Sequence, residues 1–203
     1  KAGMRTSELD EIARDVLAGA GAYSPFLNYH PRFAPVPFPA VICTSVNDAA
    51  LHGIPGRKKL ADGDLLSVDS GAVLDGWAAD AALSFTIGAP KPADTRLIDV
   101  TRDALRAGIA AAAPGGRLGD ISAAIGTVGR QAGYGICTDF GGHGVGRAMH
   151  EDPKVPNFVT SETWRTDFSL RPGMTMAVEP MVVAGKRDVR DPTDGWTMVT
   201  MDG

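Results

Sequence analysis

Two aspartates, Asp69 and Asp80, flank the pair Asp75-Gly76 in a stretch of small and apolar residues. Asp-Gly favours a two-residue hairpin turn, which would place Asp69 opposite Ala82. Asp80 is then the diagonal neighbour of Asp69 on the same face, roughly 7–8 Å away. Two carboxylates this close repel each other, and a bound cation would relieve the repulsion. The alternative for these two residues alone is a hairpin whose polar face contacts water.

The two faces of this predicted hairpin differ in side-chain size. The aspartates share their face with small residues: Ser67, Gly71, Ala78, Ala82 and Ser84. The opposite face carries mostly larger apolar residues: Leu66, Val68, Ala79, Leu83, Phe85 and Ile87. We therefore expect the apolar face to pack against the core and the aspartate face to stay free of bulk.

A single histidine, His143, is surrounded by glycines in the segment Gly141-Gly142-His143-Gly144-Val145-Gly146, and His150-Glu151-Asp152-Pro153 follows. Glycines let a backbone approach a site closely and leave the imidazole unobstructed. In a core they would leave holes, so the pattern favours a functional histidine. A phosphate-binding glycine loop is disfavoured because no Lys-Ser or Lys-Thr pair follows.

A carboxylate, Glu179, lies in the apolar strand pattern of residues 174–183. Burying it without a partner would be costly, so it needs a cation or several hydrogen-bond donors. Together with Asp69, Asp80 and His143 it forms an oxygen-rich ligand set with one imidazole. Such a set suits Mn²⁺, Fe²⁺, Co²⁺ or Zn²⁺, including two ions bridged by shared carboxylates.

The elements that must position these residues follow from hydrophobic periodicity and from glycine and proline. Helices are predicted over residues 7 to about 19, with Thr6-Ser7 as the cap, from about 95 to 113, and over 120–132. Strands are predicted over residues 41–44, 65–73, 77–87, 174–183 and 196–201. Residues 31–39 contain four prolines and are predicted to form an irregular extended loop.

An internal repeat is indicated when the chain is shifted along itself. A shift of 112 residues lays Gly3, Leu9 and Gly21 on Gly115, Ile121 and Gly133. A shift of 110 residues lays Leu60, Gly63 and Asp69 on Leu170, Gly173 and Glu179. We therefore expect two halves about a pseudo-twofold axis, each bringing a strand-borne carboxylate to the centre.

Composition and length predict one folded domain over residues 1–203. A hydrophobic content of 44% argues against disorder, and no apolar run reaches the roughly 18 residues of a membrane span. A net charge of −4 without a basic block disfavours nucleic acid and anionic lipid as partners. Cys43 and Cys137 are expected to be reduced thiols of a cytoplasmic protein. The chain lacks an initiating Met and stops at the turn-forming pair Asp202-Gly203, so we expect truncation at both ends.

An ordered series of motifs along nearly the whole chain resembles the type I methionine aminopeptidase family. The implied fold is the α+β pita-bread fold, an antiparallel sheet backed by helices in two pseudo-symmetric halves. The motifs are Ile42-Cys43-Thr44-Ser45-Val46-Asn47, His52-Gly53-Ile54-Pro55, Asp62-Gly63-Asp64, Val68-Asp69, Asp75-Gly76 with Asp80, Gly142 to Gly146 with His150 to Pro153, Leu170 to Met174 and Val178-Glu179-Pro180-Met181.

This resemblance implies a metal-dependent aminopeptidase that removes N-terminal methionine through attack of a metal-bound hydroxide on the first peptide carbonyl. Two divalent ions, Mn, Fe, Co or Zn, would be held by Asp69, Asp80, His143 and Glu179. His52 and His150 would contact the peptide and stabilise the tetrahedral intermediate, and Glu179 would assist proton transfer to the leaving amine. The implied substrate-binding residues are Tyr29, Phe38, Cys43, Met149 and Trp196.

The implied partners are the N-terminal peptides of nascent proteins at the ribosome, met by a cytoplasmic monomer. The family's fifth ligand, a bridging glutamate, lies beyond the pair matched by Asp202-Gly203. Trp77-Ala78-Ala79 replaces a usual histidine and glycine, and the proline-rich loop of residues 31–39 is longer than typical. Alternatives are therefore a non-catalytic peptide-binding homologue and an aminopeptidase of the same fold, prolidase-like or with altered specificity.

Overall fold

The computed structural model describes residues 1–185, 188–190 and 193–201, so the expected turn at Asp202-Gly203 lies outside the described residues. The strand pairings among the described residues are antiparallel. They form sheets in the orders β1-β3-β4, β10-β11-β2, β5-β9 and β7-β6-β8, where the elements are α1 (Thr6–Gly19), β1 (Ile42–Val46), β2 (Ala49–Leu51), β3 (Leu65–Leu74), β4 (Trp77–Thr86), α2 (Pro92–Ala111), α3 (Leu118–Gln131), β5 (Gly135–Ile136), β6 (Gly142–Gly144), β7 (Glu151–Val155), α4 (Ser161–Thr166), β8 (Met176–Ala177), β9 (Val182–Val183), β10 (Val189–Arg190) and β11 (Met198–Thr200).

The three predicted helices are confirmed as α1, α2 and α3. The predicted cap of α1 is wrong, because Arg5 is its N-cap residue and Thr6 is already helical. The Glu8 carboxylate accepts the Arg5 backbone N–H at 2.6 Å, which satisfies one free donor of the first turn. The Thr6 hydroxyl instead accepts the N–H of Gly56 at 2.8 Å. The Thr6 side chain, which the local pattern assigned to capping, therefore makes a tertiary contact with Gly56 instead.

Helix α2 begins at Pro92 rather than near Thr95, because proline has no N–H to lose in the first turn and its fixed φ suits that position. It packs on α3 at Gly108, where an added Cβ would lie 2.9 Å from a carbon of Ile125. The packed core here contains Ala104, Leu118, Ile121, Ile125 and Val155. Among the described residues, no helix combines the length and the apolar character that crossing a membrane requires.

The internal repeat is confirmed by equivalent backbone contacts in the two halves. The N–H of Leu60 donates to the carbonyl of Met4 at 2.8 Å, and Leu170 donates to Gly116 at 2.9 Å. The isolated bridge between Arg5 and Lys59 likewise has its counterpart between Arg117 and Ser169. Glycines with positive φ occupy matching positions, as in the pairs Gly3 and Gly115, Gly21 and Gly133, and Gly63 and Gly173.

The hairpin of β3 and β4 has the predicted register, with Asp69 opposite Ala82 and Asp80 opposite Gly71. The turn residues Asp75 and Gly76 both have positive φ, as this hairpin turn requires.

The assignment of the apolar face of this hairpin to the core is wrong for much of β4. Leu66 is buried and packs with Val46, Leu60 and Ile87. In contrast, Leu83 is 66% exposed, Phe85 is 38% exposed and Ala79 is also exposed. Alternation fixes which side chains share a face, but burial depends on whether another element covers that face.

The strand predicted over residues 174–183 is interrupted. It is replaced by β8, which pairs with β6, and by β9, which pairs with β5. Pro180 lies between them and cannot donate a ladder hydrogen bond. Strands β6 and β7 were not predicted, because glycine dominates the first and charged residues and proline the second. The interruption frees Glu179 from regular pairing.

Asp10 fastens α1 to β1 and offers a test of stability. Its carboxylate is largely buried and accepts the N–H groups of Val41 at 2.7 Å and Ile42 at 3.3 Å. We expect Asp10→Ala to lower the free energy of unfolding by about 2–3 kcal/mol, because buried N–H groups lose their acceptor. Urea unfolding measures this change. The exposed Asp15→Ala on the same helix should change it by less than about 0.5 kcal/mol, and equal effects would contradict the assignment.

Candidate metal centre and substrate pocket

Three side chains from different elements converge at one point. Asp80 projects from β4, His143 from β6, and Glu179 from the segment between β8 and β9. His143 Nε2 lies 3.4 Å from Asp80 Oδ2 and 3.1 Å from Glu179 Oε1. In the described residues these three offer ligand atoms that all lie within 4.8 Å of one another. This spacing lets all three reach a single metal ion.

The glycines beside His143 are required by the close approach of neighbouring strands. A Cβ at Gly142 would lie 2.1 Å from the carbonyl oxygen of Ala177, and one at Gly144 would lie 2.3 Å from that of Asp152. His143 Nδ1 lies 2.9 Å from the Gly144 carbonyl oxygen. A carbonyl only accepts, so Nδ1 must carry the proton that it donates. In the neutral ring, Nε2 is then free to bind a metal.

Negative charge accumulates around Asp69. Burial, followed by the charges of Asp80 and Glu179, raises the pKa of Asp69 to about 8. Asp69 lies in the same cavity but offers no ligand atom within 4.8 Å of all three other residues. It lies opposite Cys43 across the β1–β3 pair. The structure therefore places Asp69 beside the three-residue group rather than within it.

These residues fit a divalent cation. Asp80 Oδ1 is buried and receives no hydrogen bond from any described group. Burial alone would lower the pKa of His143, but hydrogen bonding to Asp80 and Glu179 outweighs it and raises the pKa to about 10. A cation would relieve the repulsion among the carboxylates and would compete with the proton of His143.

The two other predicted histidines line the same cavity. His150 stacks on Tyr29 with ring centroids 5.1 Å apart and lies 4.4 Å from the ring of His143. Burial, and then the neighbouring His143, lower the pKa of His150. Burial, and then His150, lower the pKa of His52 to about 4, and its buried Nδ1 has no hydrogen-bond partner in the described part of the chain. His52 is therefore neutral at pH 7 and has one unused hydrogen-bonding atom.

The predicted substrate-binding residues come together beside the ligands. Phe38, Cys43, Met149 and Trp196 are buried in one apolar cluster, and Tyr29 packs against it. They line a cavity of about 1020 Å³ that also contains the four predicted metal ligands. Burial, and then Asp69 and Asp80, raise the pKa of Cys43 well above its usual value, so the thiol stays neutral and lines the pocket as a small apolar group.

Several residues at the site were missed by sequence reasoning. Phe33 and Phe140 line the cavity, and their only sequence signals are positions in the proline-rich loop and just before the glycine segment. Asn157 is fully buried and donates from Nδ2 to the backbone oxygen of Glu179 at 2.7 Å, which supports the ligand-bearing segment. The sequence offered no signal for that contact.

A cation–aromatic contact joins the hairpin tip to the glycine segment. The Arg147 guanidinium lies 3.7 Å from the centre of the Trp77 ring and donates to the Gly76 carbonyl at 3.1 Å. The N–H of Ala78 donates to the carbonyl of Gly146 at 2.7 Å. These contacts at Trp77 and its neighbours connect the strand of Asp80 to the segment of His143.

Known proteins resemble the chain in sequence over its whole length. The family model described as Metallopeptidase family M24 matches residues 1–200. A methionine aminopeptidase of Aquifex aeolicus is 40% identical over 204 residues, which cover 100% of this chain and 79% of the relative. Methionine aminopeptidase 1 of Mycobacterium tuberculosis is 44% identical, over 99% of this chain and 75% of the relative.

Solved structures show the same architecture. The crystal structure of methionine aminopeptidase from Rickettsia prowazekii matches with a TM-score of 0.92 and 36% identity, over 100% of this chain and 78% of that one. A prolidase from Pyrococcus horikoshii matches with a TM-score of 0.72 at 20% identity, over 98% of this chain and 50% of that one. The second match bears on the fold alone.

Proposed function

This chain belongs to metallopeptidase family M24, and we propose that it is a metal-dependent methionyl aminopeptidase that releases the N-terminal methionine of peptides and nascent proteins. It has the α+β pita-bread fold of that family, as the motifs predicted. The observation that carries the proposal is the convergence of Asp80, His143 and Glu179 in a cavity walled by apolar and aromatic side chains.

The proposed cofactor is a pair of divalent ions, Mn, Fe, Co or Zn, held by Asp69, Asp80, His143 and Glu179. Ions of this kind supply Lewis acidity and lower the pKa of a water molecule toward 7. Asp69 belongs to the proposed set because it lies beside Asp80 and its charge is otherwise poorly compensated. Relief of that repulsion favours binding of more than one positive charge.

The protein's own residues have separate tasks in this proposal. The pocket of Phe38, Cys43, Met149 and Trp196, with Tyr29 at its side, would hold the thioether side chain in polarizable, apolar surroundings. His52 and His150 would donate hydrogen bonds to the peptide as its carbonyl gains negative charge. The Glu179 side chain remains partly exposed and could carry a proton to the leaving amine.

The proposed substrates in the cell are the N-termini of nascent proteins, reached by a cytoplasmic monomer at the ribosome. A non-catalytic peptide-binding role has less support, because Asp69, Asp80, His143 and Glu179 share one cavity with both predicted catalytic histidines. A protein that only binds peptides would not require both the metal-ligand residues and the two histidines in this cavity.

The proposal is tested with the full-length protein and the peptide Met-Ala-Ser. We expect release of free methionine that stops after treatment with EDTA and returns when Mn²⁺ or Co²⁺ is added. N-acetyl-Met-Ala-Ser is the matched control, because it lacks the free amino group. Cleavage that persists after thorough metal removal would contradict the proposal. So would the absence of cleavage with each of Mn²⁺, Fe²⁺, Co²⁺ and Zn²⁺.

A further inference from the structure

Four aromatic rings form a closed cluster at the site. Phe33 contacts Phe140 at 6.3 Å between ring centroids and 77°, and Phe140 contacts His52 at 5.2 Å and 88°. His52 contacts Trp196 at 5.9 Å and 85°, and Trp196 contacts Phe33 at 5.8 Å and 72°. Each ring therefore meets two others in near-perpendicular, edge-to-face contacts, the geometry that aromatic pairs favour.

Phe33 differs from the other cluster members in exposure and in origin. It is 63% exposed, whereas Trp196 is buried, so much of the Phe33 ring is available to a ligand. It also lies in the proline-rich loop of residues 31–39. The proposed reaction gives a task to Phe38 of this loop but none to Phe33.

The loop that carries Phe33 is held in place at several points. Trp196 Nε1 donates to the carbonyl of Val36 at 2.9 Å. The N–H of Phe38 donates to the carbonyl of Tyr29 at 2.8 Å. Pro35 packs on Gly195, where an added Cβ would lie 2.8 Å from a proline carbon. Prolines further restrict the backbone, so Phe33 forms a defined wall of the cavity.

We propose that Phe33 is a specificity-determining residue that limits the size of the residue following the N-terminal methionine; this inference rests on the proposed function. The buried cluster accounts for the methionine side chain, and Asp80, His143 and Glu179 mark the reacting bond. The residue after the methionine must then lie in the more exposed outer part of the cavity. There Phe33 packs against Phe140 and Trp196, the two rings that also contact His52. Its ring occupies space that a bulky side chain would need.

The experiment compares kcat/KM for Met-Ala-Ser and Met-Leu-Ser in the wild type and in Phe33→Ala. We expect the ratio of Met-Leu-Ser to Met-Ala-Ser to rise by at least about 10-fold in Phe33→Ala, since fit in an apolar pocket discriminates by this order. Phe33→Tyr keeps the ring and should retain the wild-type ratio.

Tyr23→Ala is the matched control, because Tyr23 is 64% exposed and does not line the cavity. It should leave the ratio unchanged. An unchanged ratio in Phe33→Ala, or an equal loss on both peptides, overturns the inference while leaving the aminopeptidase activity established. No cleavage of either peptide by the wild type would instead overturn the proposed function.

Discussion

Replacing His143 with alanine is expected to reduce metal-dependent methionine release by more than about 100-fold, beyond the effect of losing a residue that only orients a ligand. His143 Nε2 lies within 3.4 Å of an Asp80 oxygen and within 3.1 Å of a Glu179 oxygen. Without the imidazole, the metal position formed by Asp80, His143 and Glu179 would lose one of its three ligand atoms. The affinity for Co²⁺, measured by calorimetry and visible absorption, should fall in parallel.

His30→Ala provides the matched control for metal affinity. His30 is exposed, and its ring nitrogen lies 3.2 Å from the carbonyl oxygen of Ala34. It is absent from the group of candidate ligands found in the described residues. Its replacement should leave Co²⁺ affinity unchanged. Equal loss of affinity in both variants, or full affinity in His143→Ala, would contradict the assignment of His143 as a ligand.

Replacing Gly142 with alanine is expected to lower both stability and activity, although the change adds only one methyl group. The new Cβ would lie 2.1 Å from the Ala177 carbonyl oxygen and 3.3 Å from the Glu179 backbone nitrogen. Strands β6 and β8 must then separate, which moves His143 away from Glu179. We expect the free energy of unfolding to fall by about 1–3 kcal/mol, the usual cost of overpacking.

Urea unfolding and Co²⁺ affinity measure the two effects of Gly142→Ala. Gly19→Ala is the matched control, because a Cβ there meets no atom of the residues that the structure describes within 4 Å, and Gly19 ends α1 with an ordinary φ. That substitution should stabilise the helix by up to about 1 kcal/mol. If Gly142→Ala also left the free energy of unfolding and the Co²⁺ affinity undiminished, the close approach of β6 and β8 at Gly142 would be contradicted.

Much of the framework could be predicted from the sequence because its determinants are local. The Asp75-Gly76 turn set the register of β3 and β4, since that pair readily adopts the positive φ values of a tight hairpin. Apolar periodicity located α1, α2 and α3. The repeat was also visible, because glycines at matching turns impose the same backbone geometry twice.

The sequence did not predict which faces of the strands and helices are buried, because burial depends on packing against elements that are distant in sequence. Leu83 lies on the same face of the β3–β4 hairpin as the buried Leu66, but Leu83 itself is exposed. Thr6 was assigned to a cap, yet its hydroxyl contacts Gly56. In both cases the prediction from the local pattern was wrong, because a tertiary contact, or the lack of one, decided the outcome.

The candidate site divides in the same way. By itself the sequence determined which residues have ligand chemistry, because Asp80, His143 and Glu179 are costly or unusual in their local settings. Only the tertiary structure decided that these three converge while Asp69 lies beside them. It also brought Phe33 to the wall of the cavity and Asn157 to the backbone of Glu179. Side-chain type is encoded residue by residue, whereas distance between remote residues is fixed only when the two halves pack together.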